Sequence, residues 1–195
     1  TASAIEVDAG TWTFAGAHQG WWDNAAVTLA GGKLLLDGSG ASGFSTKTAS
    51  TVAFNGGGSI AWTGAQTVSV NTTGLLRTAQ GTLILQLSET AGVLGGSNQL
   101  IAGNTNFSGG NVPDSGSRST AGIYSPFIVQ QDALGVGDFV TDDGANGFQT
   151  YSGSYSTDIN SLSGPLVVGN FSSSMTIAGN TTKSLFAFKT TASIS

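Results

Sequence analysis

Short apolar segments recur along most of the chain, and apolar and polar side chains alternate within most of them. A period of two places successive side chains on opposite faces of a β-strand, and the β-branched and aromatic residues common in these segments favour strands. No stretch of ten residues keeps apolar positions at helical spacing. The sequence therefore predicts an all-β protein, with strands at 26–30, 33–37, 51–55, 59–63, 67–71, 82–87, 99–103, 127–130, 138–141, 165–169, 174–179 and 184–190.

The connections between these segments are mostly three to five residues long between residues 25 and 90, and they are rich in Gly, Asn and Ser. Such residues suit sharp corners, which occur in two architectures. A right-handed parallel β-helix (β-solenoid) winds the chain into stacked coils, and a β-sandwich or jelly roll joins antiparallel strands by hairpins. Low charge (9%) and 30 Gly favour the solenoid, with the sandwich or jelly roll as the alternative. At roughly 20–25 residues per coil, we expect about eight or nine coils.

The length of 195 residues suits one all-β domain, so we expect a single domain over residues 1–195. One segment breaks the rhythm of alternating strands. Residues 103–122 are polar, contain Pro113 and Arg118, and have almost no apolar content. They predict a polar surface excursion from the domain.

The charge distribution argues against several partners. The net charge is −5, and the six basic residues are scattered, so no stripe could follow the phosphates of a nucleic acid. They are Lys33, Lys47, Arg77, Arg118, Lys183 and Lys189. No apolar run approaches 18 residues, which argues against membrane insertion by a helix. The chain has no Cys, so its stability must come from packing and backbone hydrogen bonds rather than disulfides.

Four segments follow one another in a recognisable order: GLLRTAQGTLILQL (74–87), ETAGVLGGSNQLIAG (89–103), TAGIYSPFIVQQ (120–131) and GDFVTDDGANGFQTYS (137–152). Over about residues 74 to 160, this succession resembles large bacterial surface proteins with autotransporter-associated β-strand repeats. The resemblance implies an extracellular parallel β-helix with a structural or adhesive role and no enzymatic activity.

The chain also departs from the pattern of that family. Family members often carry tandem copies of a GTLTLSG-like repeat, whereas residues 80–87 (QGTLILQL) are the sole clear copy here. Asp142 and Asp143 stand where the family pattern more often has a tyrosine.

A cluster of oxygen-bearing side chains lies around TDDGANG: Asp138, Asp142, Asp143 and Asn146. Calcium takes six to eight oxygen ligands, but the spacing fits no EF-hand loop. Asp-Gly and Asn-Gly are also common in tight turns, because these side chains bond their own backbone. The sequence favours a plain turn over a calcium site, and we expect no metal and no cofactor.

No constellation of catalytic residues is evident. His18 is the single histidine, and neither Cys nor a G-x-S-x-G motif is present. Sugar cleavage by a glycosidase needs two carboxylates across the bond, and the arginines that a lyase could use, Arg77 and Arg118, have no acidic neighbours in sequence. We therefore predict no enzymatic activity and no catalytic residues.

Trp12, Trp21 and Trp22 lie together in the segment 10–26. If exposed they could form a platform for sugars, and if buried they would cap the open end of a solenoid. Because terminal coils need caps, the sequence favours the cap.

The chain ends in an alternating segment, SLFAFKTTASIS (184–195), whose one charge is Lys189. Such an edge is poorly protected from pairing. Two alternatives remain open: the segment adds as a strand to a neighbouring subunit, or it folds back on its own chain.

These observations predict a secreted structural protein at the bacterial cell surface, a subunit or segment of a fibre, layer or adhesin stalk. It would self-assemble as a homo-oligomer or filament through its ends. The alternative is a carbohydrate-binding or carbohydrate-cleaving β-helix module with a surface glycan as partner.

In the strand TLILQL, the alternation predicts that Leu83, Leu85 and Leu87 face the core, whereas Thr82, Ile84 and Gln86 face outward.

Overall fold

Alternating inward and outward side chains build fourteen short strands and one 3₁₀ helix in the described part of the chain, with no α-helix there. The computed structural model describes residues 4–15, 24–38, 45–64, 68–88, 93–96, 98–107, 123–142, 145–162, 168–174, 176 and 187–190. Only the backbone is described for residues 45–47, 68–69 and 103–107. The all-β prediction is confirmed. Within the same ranges, no helix has the length and apolar character needed to cross a membrane.

The strands have the following bounds: β1 Ala4–Val7, β2 Thr11–Ala15, β3 Ala25–Leu29, β4 Lys33–Asp37, β5 Ser45–Phe54, β6 Gly58–Thr63, β7 Val68–Arg77, β8 Leu83–Leu87, β9 Asn98–Phe107, β10 Ile128–Gln131, β11 Gly137–Asp142, β12 Phe148–Thr150, β13 Val168–Phe171 and β14 Ala187–Thr190. The 3₁₀ helix covers Ile159–Ser161.

Consecutive strands alternate between two sheets up to β10. The odd strands form a five-stranded sheet in the order β1-β3-β5-β7-β9, and every pair in it is parallel. The even strands run parallel from β2 through β4, β6 and β8 to β10, in a sheet that continues into β11 and β12. Because β11 is antiparallel to both β10 and β12, this seven-stranded sheet is mixed. The parallel part is compatible with a β-solenoid.

The register gives the repeat length. Ala4 pairs with Ala26, an offset of 22 residues, and Val27 pairs with Val52, an offset of 25. These offsets agree with the expected 20–25 residues per coil. The predicted eight or nine coils are wrong for the described residues, which form five parallel layers. The reason is that the offset grows to 45 residues between Leu83 and Ile128 and the chain then reverses direction after β10.

The side chains of both sheets share one core. Its largest fully buried members are Trp62 and Phe54. The predicted inward face of β8 is confirmed, since Leu83 and Leu85 are 0% exposed and Leu87 is 7% exposed. The side chains between them in sequence, at positions 84 and 86, are partly exposed.

Three strands were not predicted. β12 has three residues and follows the turn at TDDGANG, and β1 and β2 lie in the N-terminal region that the sequence linked with a cap. β9 is longer than expected, because its polar residues 103–107 pair in parallel with the end of β7. The first five residues of the expected excursion at 103–122 are therefore a strand, and residues 108–122 lie outside the described residues. Of the strand expected at 174–179, the structure describes residues 174 and 176, and neither is in a strand.

The C-terminal strand folds back on its own chain. β14 pairs in parallel with β13, joining Val168 to Ala187 and Phe171 to Thr190. Of the two arrangements considered for this segment, the single chain adopts the folded-back one for residues 187–190. Residues 184–186 and 191–195 lie outside the described residues.

Candidate functional site

The segment TDDGANG is the turn of an antiparallel hairpin. Asp142 at the end of β11 pairs with Phe148 at the start of β12, so the chain reverses between them. Gly147 has a φ of 72°, a left-handed angle that glycine adopts readily. A Cβ at this position would lie 2.0 Å from the carbonyl oxygen of Leu100 in β9. The turn interpretation is confirmed, and the glycine lets the turn pack directly on the five-stranded sheet.

The acidic residues of this segment do not converge on one ion. Asp138 and Asp142 are four strand residues apart, which corresponds to about 13 Å between their Cα atoms. Among the described residues, no group of three or more His, Cys, Asp or Glu side chains is placed to hold a metal ion. Asp143 lies outside the described residues.

Asp138 instead forms the centre of a cluster that ties the C-terminal strand to the hairpin. Its carboxylate accepts hydrogen bonds from the Lys189 ammonium (2.7 Å), the Tyr155 hydroxyl and the Phe139 amide (2.8 Å). The Lys189 Nζ also lies 4.6 Å from the ring centroid of Tyr155. The ring of Tyr151 meets that of Tyr155 edge-on at 5.1 Å. Residues from β11, β14 and the segment after β12 therefore hold one another in place.

The two tyrosines of this cluster stay protonated. Burial raises the pKa of Tyr155, and its hydrogen bond to Asp138 raises it further, because a phenolate would lose that bond and face the carboxylate. Burial and the charge of Asp138 also raise the pKa of Tyr151. Since the folded pKa lies above the ordinary value near 10.0, the cluster contributes its stability below that pH and loses it as the pH rises further.

Replacing Asp138 with asparagine should lower the pKa of Tyr155, because the negative charge that opposes its ionisation is removed. The absorbance of tyrosinate, followed in an alkaline titration of the folded protein, measures this change. Asp142→Asn is the matched control on the same strand and should leave the titration unchanged. Equal curves for wild type and Asp138→Asn would contradict the assignment of the hydrogen bond.

A groove of about 850 Å³ lies beside this cluster. Its lining comes from the turn before β11, from β11 itself, and from β13 and β14. Asp138 and Lys189 line it together with Phe188, whose side chain is 47% exposed. The ring of Phe188 lies 6.1 Å from that of the buried Phe171.

The opposite end of the sheets carries the first strands. β1 and β2 are the edge strands of the two sheets, and neither has a strand on its outer side among the described residues. A cleft of about 660 Å³ at this end is lined by residues 4–9, Thr11 and Trp12. Trp12 is partly buried against the core and meets Phe14 edge-on at 6.3 Å. Its position agrees with a cap rather than a sugar platform, and Trp21 and Trp22 lie outside the described residues.

The remaining candidates for chemistry are not brought together. Arg77 is buried, with its guanidinium 3.6 Å from the ring centroid of Phe127 and its Nε donating to the carbonyl of Gly81 (3.0 Å). These contacts fit an anchor inside the fold. His18 and Arg118 lie outside the described residues.

Sequence reasoning missed Tyr151 and Tyr155, and it did not connect Lys189 with Asp138, which is 51 residues away. The available signal was that Lys189 is the single charge in an otherwise uncharged final segment. A charge kept in such a strand indicates a partner elsewhere in the chain.

Comparisons with protein-family models, with curated proteins and with solved structures each find no match. The similarity of residues 74–160 to surface proteins with autotransporter-associated repeats therefore stays a prediction.

Proposed function

We propose that this chain is a non-enzymatic structural protein, a right-handed β-solenoid segment of a bacterial surface fibre, layer or adhesin stalk that is secreted and assembles end to end. The observation that carries the proposal is the placement of β1 and β2, the outer strands of two sheets that are parallel over five layers, at the same end of the molecule.

The solenoid follows from the connectivity. Each parallel neighbour in one sheet is reached through a strand of the other sheet, with offsets of 22 to 25 residues between Ala4, Ala26 and the partner of Val27. Crossovers between parallel strands of one sheet are almost always right-handed, which supports the handedness proposed. The resemblance of residues 74–160 to bacterial surface proteins supports the location and the role.

The absence of enzymatic activity is proposed from the chemistry of the groove. Asp138 is the one carboxylate among the described residues that line it, whereas glycosidases use a pair. The Asp138 carboxylate is already engaged by three donors, among them an ammonium at 2.7 Å. Such a carboxylate is stabilised in its charged form and is a poor proton donor.

End-to-end assembly follows from the physics of strand edges. An unpaired edge presents rows of N–H and C=O groups that a strand of another molecule can pair with. The other edge of the five-stranded sheet is β9 in the described part of the chain. Pairing β1 of one copy with β9 of the next would continue the parallel sheet, and such a head-to-tail contact does not close.

Blocking the N-terminal edges should abolish this assembly. Ala4→Lys combined with Thr13→Lys places a charge on each edge strand at an exposed position, so the fold should be retained while pairing with another copy is opposed. Light scattering after size-exclusion chromatography and negative-stain electron microscopy should show filaments for the wild type and monomers for the double variant.

Val93→Lys combined with Leu134→Lys is the control, because it adds the same charge at two exposed positions outside the sheets. This variant should assemble like the wild type. A wild type that stays monomeric at high concentration, or a double edge variant that still forms filaments, would overturn the proposal.

A further inference from the structure

The groove beside Asp138 has features of a binding site that structural packing does not require. Four large apolar side chains are exposed in the described part of the chain, at Val93, Leu134, Val136 and Phe188. Two of them, Val136 (62% exposed) and Phe188, line this groove. Contiguous exposed apolar surface on a soluble domain often marks a site of interaction, and a volume of about 850 Å³ lies in the range of small-ligand sites.

The polar groups of the groove offer both donors and acceptors of hydrogen bonds. Asn170 brings an amide, and Ser172 and Thr190 bring hydroxyls. The ammonium of Lys189 and the carboxylate of Asp138 are each partly exposed, at 30% and 26%. Both retain hydrogen-bonding capacity, because an ammonium has three donors and a carboxylate has about four acceptor sites.

The charge of the groove selects among ligands. Among the described residues that line it, Asp138 and Lys189 are the charged ones, and they neutralise each other at 2.7 Å. A charged ligand would meet no unbalanced charge of opposite sign, so no net attraction favours an anion or a cation. A neutral ligand with apolar C–H surface and many hydroxyls matches the lining.

We infer that this groove binds a neutral saccharide. The sugar's C–H surface packs against Phe188 and Val136, and its hydroxyls bond the amide of Asn170 and the ion pair. The site binds and does not cleave, because the second carboxylate that glycoside hydrolysis needs is not among its described lining residues. This inference does not depend on self-assembly, and the edge variants above should bind as the wild type does.

The test is calorimetry and saturation-transfer NMR on the full chain with cellobiose, maltose and N,N′-diacetylchitobiose. Digalacturonate and the glucosamine dimer serve as anionic and cationic comparators. We expect at least one neutral disaccharide to bind at millimolar concentration and neither charged one to bind better. Phe188→Ala should weaken that binding about tenfold or more, because an aromatic contact surface is lost.

Asn170→Leu is the second variant, since it removes the amide with little change in volume and leaves the ring of Phe188 in place. It should also weaken binding, whereas Leu134→Ala, an exposed apolar truncation outside the groove lining, should not. The inference is overturned if no neutral disaccharide binds, if a charged one binds better, or if Phe188→Ala and Asn170→Leu both bind like the wild type.

Discussion

Replacing Gly147 with alanine should destabilise the protein by roughly 3 kcal/mol or more, because two costs add. The residue has a φ of 72°, where a side chain is strained, and its Cβ would lie 2.0 Å from the carbonyl oxygen of Leu100 and 2.7 Å from its carbonyl carbon. Those atoms belong to the backbone of β9 and cannot turn aside as a side chain could. The turn at TDDGANG would have to lift from the five-stranded sheet. Urea denaturation followed by circular dichroism measures the loss.

Gly10→Ala separates strain from collision. Gly10 has a φ of 75°, close to that of Gly147, but a Cβ there would meet no atom within 4 Å. It should lose only the strain of the left-handed angle, about 1–2 kcal/mol. If the two alanine variants were equally stable, the close approach of the turn to β9 would be disproved.

The second large effect concerns the core. Leu85→Ala should cost about 2–5 kcal/mol, because the leucine is fully buried between the sheets and its truncation leaves a cavity. Equilibrium unfolding in urea gives the difference in free energy. Ile84→Ala is the matched control on the same strand, where the side chain is partly exposed, and it should cost clearly less. A larger loss for Ile84→Ala than for Leu85→Ala would mean that the strand faces the other way.

The strands that the sequence predicted best are those in which packing dictates the pattern. The segment 33–37 coincides with β4, and 82–87 differs from β8 by one residue. Each lies between two neighbours in its sheet and has one face in the core, so inward positions must be apolar while outward ones need not be. The period of two therefore appears directly in the residues.

The missed strands lack such a pattern for identifiable reasons. β12 has only three residues, too few for an alternation to be recognised. Residues 104–107 of β9 are mostly polar, and they are strand because residues 74–77 of β7 offer them a backbone ladder. Backbone hydrogen bonds do not depend on side-chain type, so a polar segment beside a strand edge can join the sheet without any signal in its sequence.

The candidate site was harder to predict than the fold. The sequence identified Asp138 among several acids around one turn, but its partner Lys189 lies 51 residues away, and Tyr155 lies 17 residues away. Their meeting depends on how β13 and β14 pack on the hairpin, which no local periodicity records. The likely-looking cluster of aspartates was a feature of turn chemistry, whereas the site was assembled by tertiary packing.

The near-constant register offset makes the length of the molecule an adjustable quantity. Each layer contributes one strand to each sheet and contacts only the layers above and below it. Inserting or deleting a unit of 22 to 25 residues between β3 and β6 would therefore change the length in steps of about 4.8 Å. The N-terminal strands and the groove at Asp138 would keep their structures. Reach could thus vary among chains of this type by duplication alone, without redesign of either end.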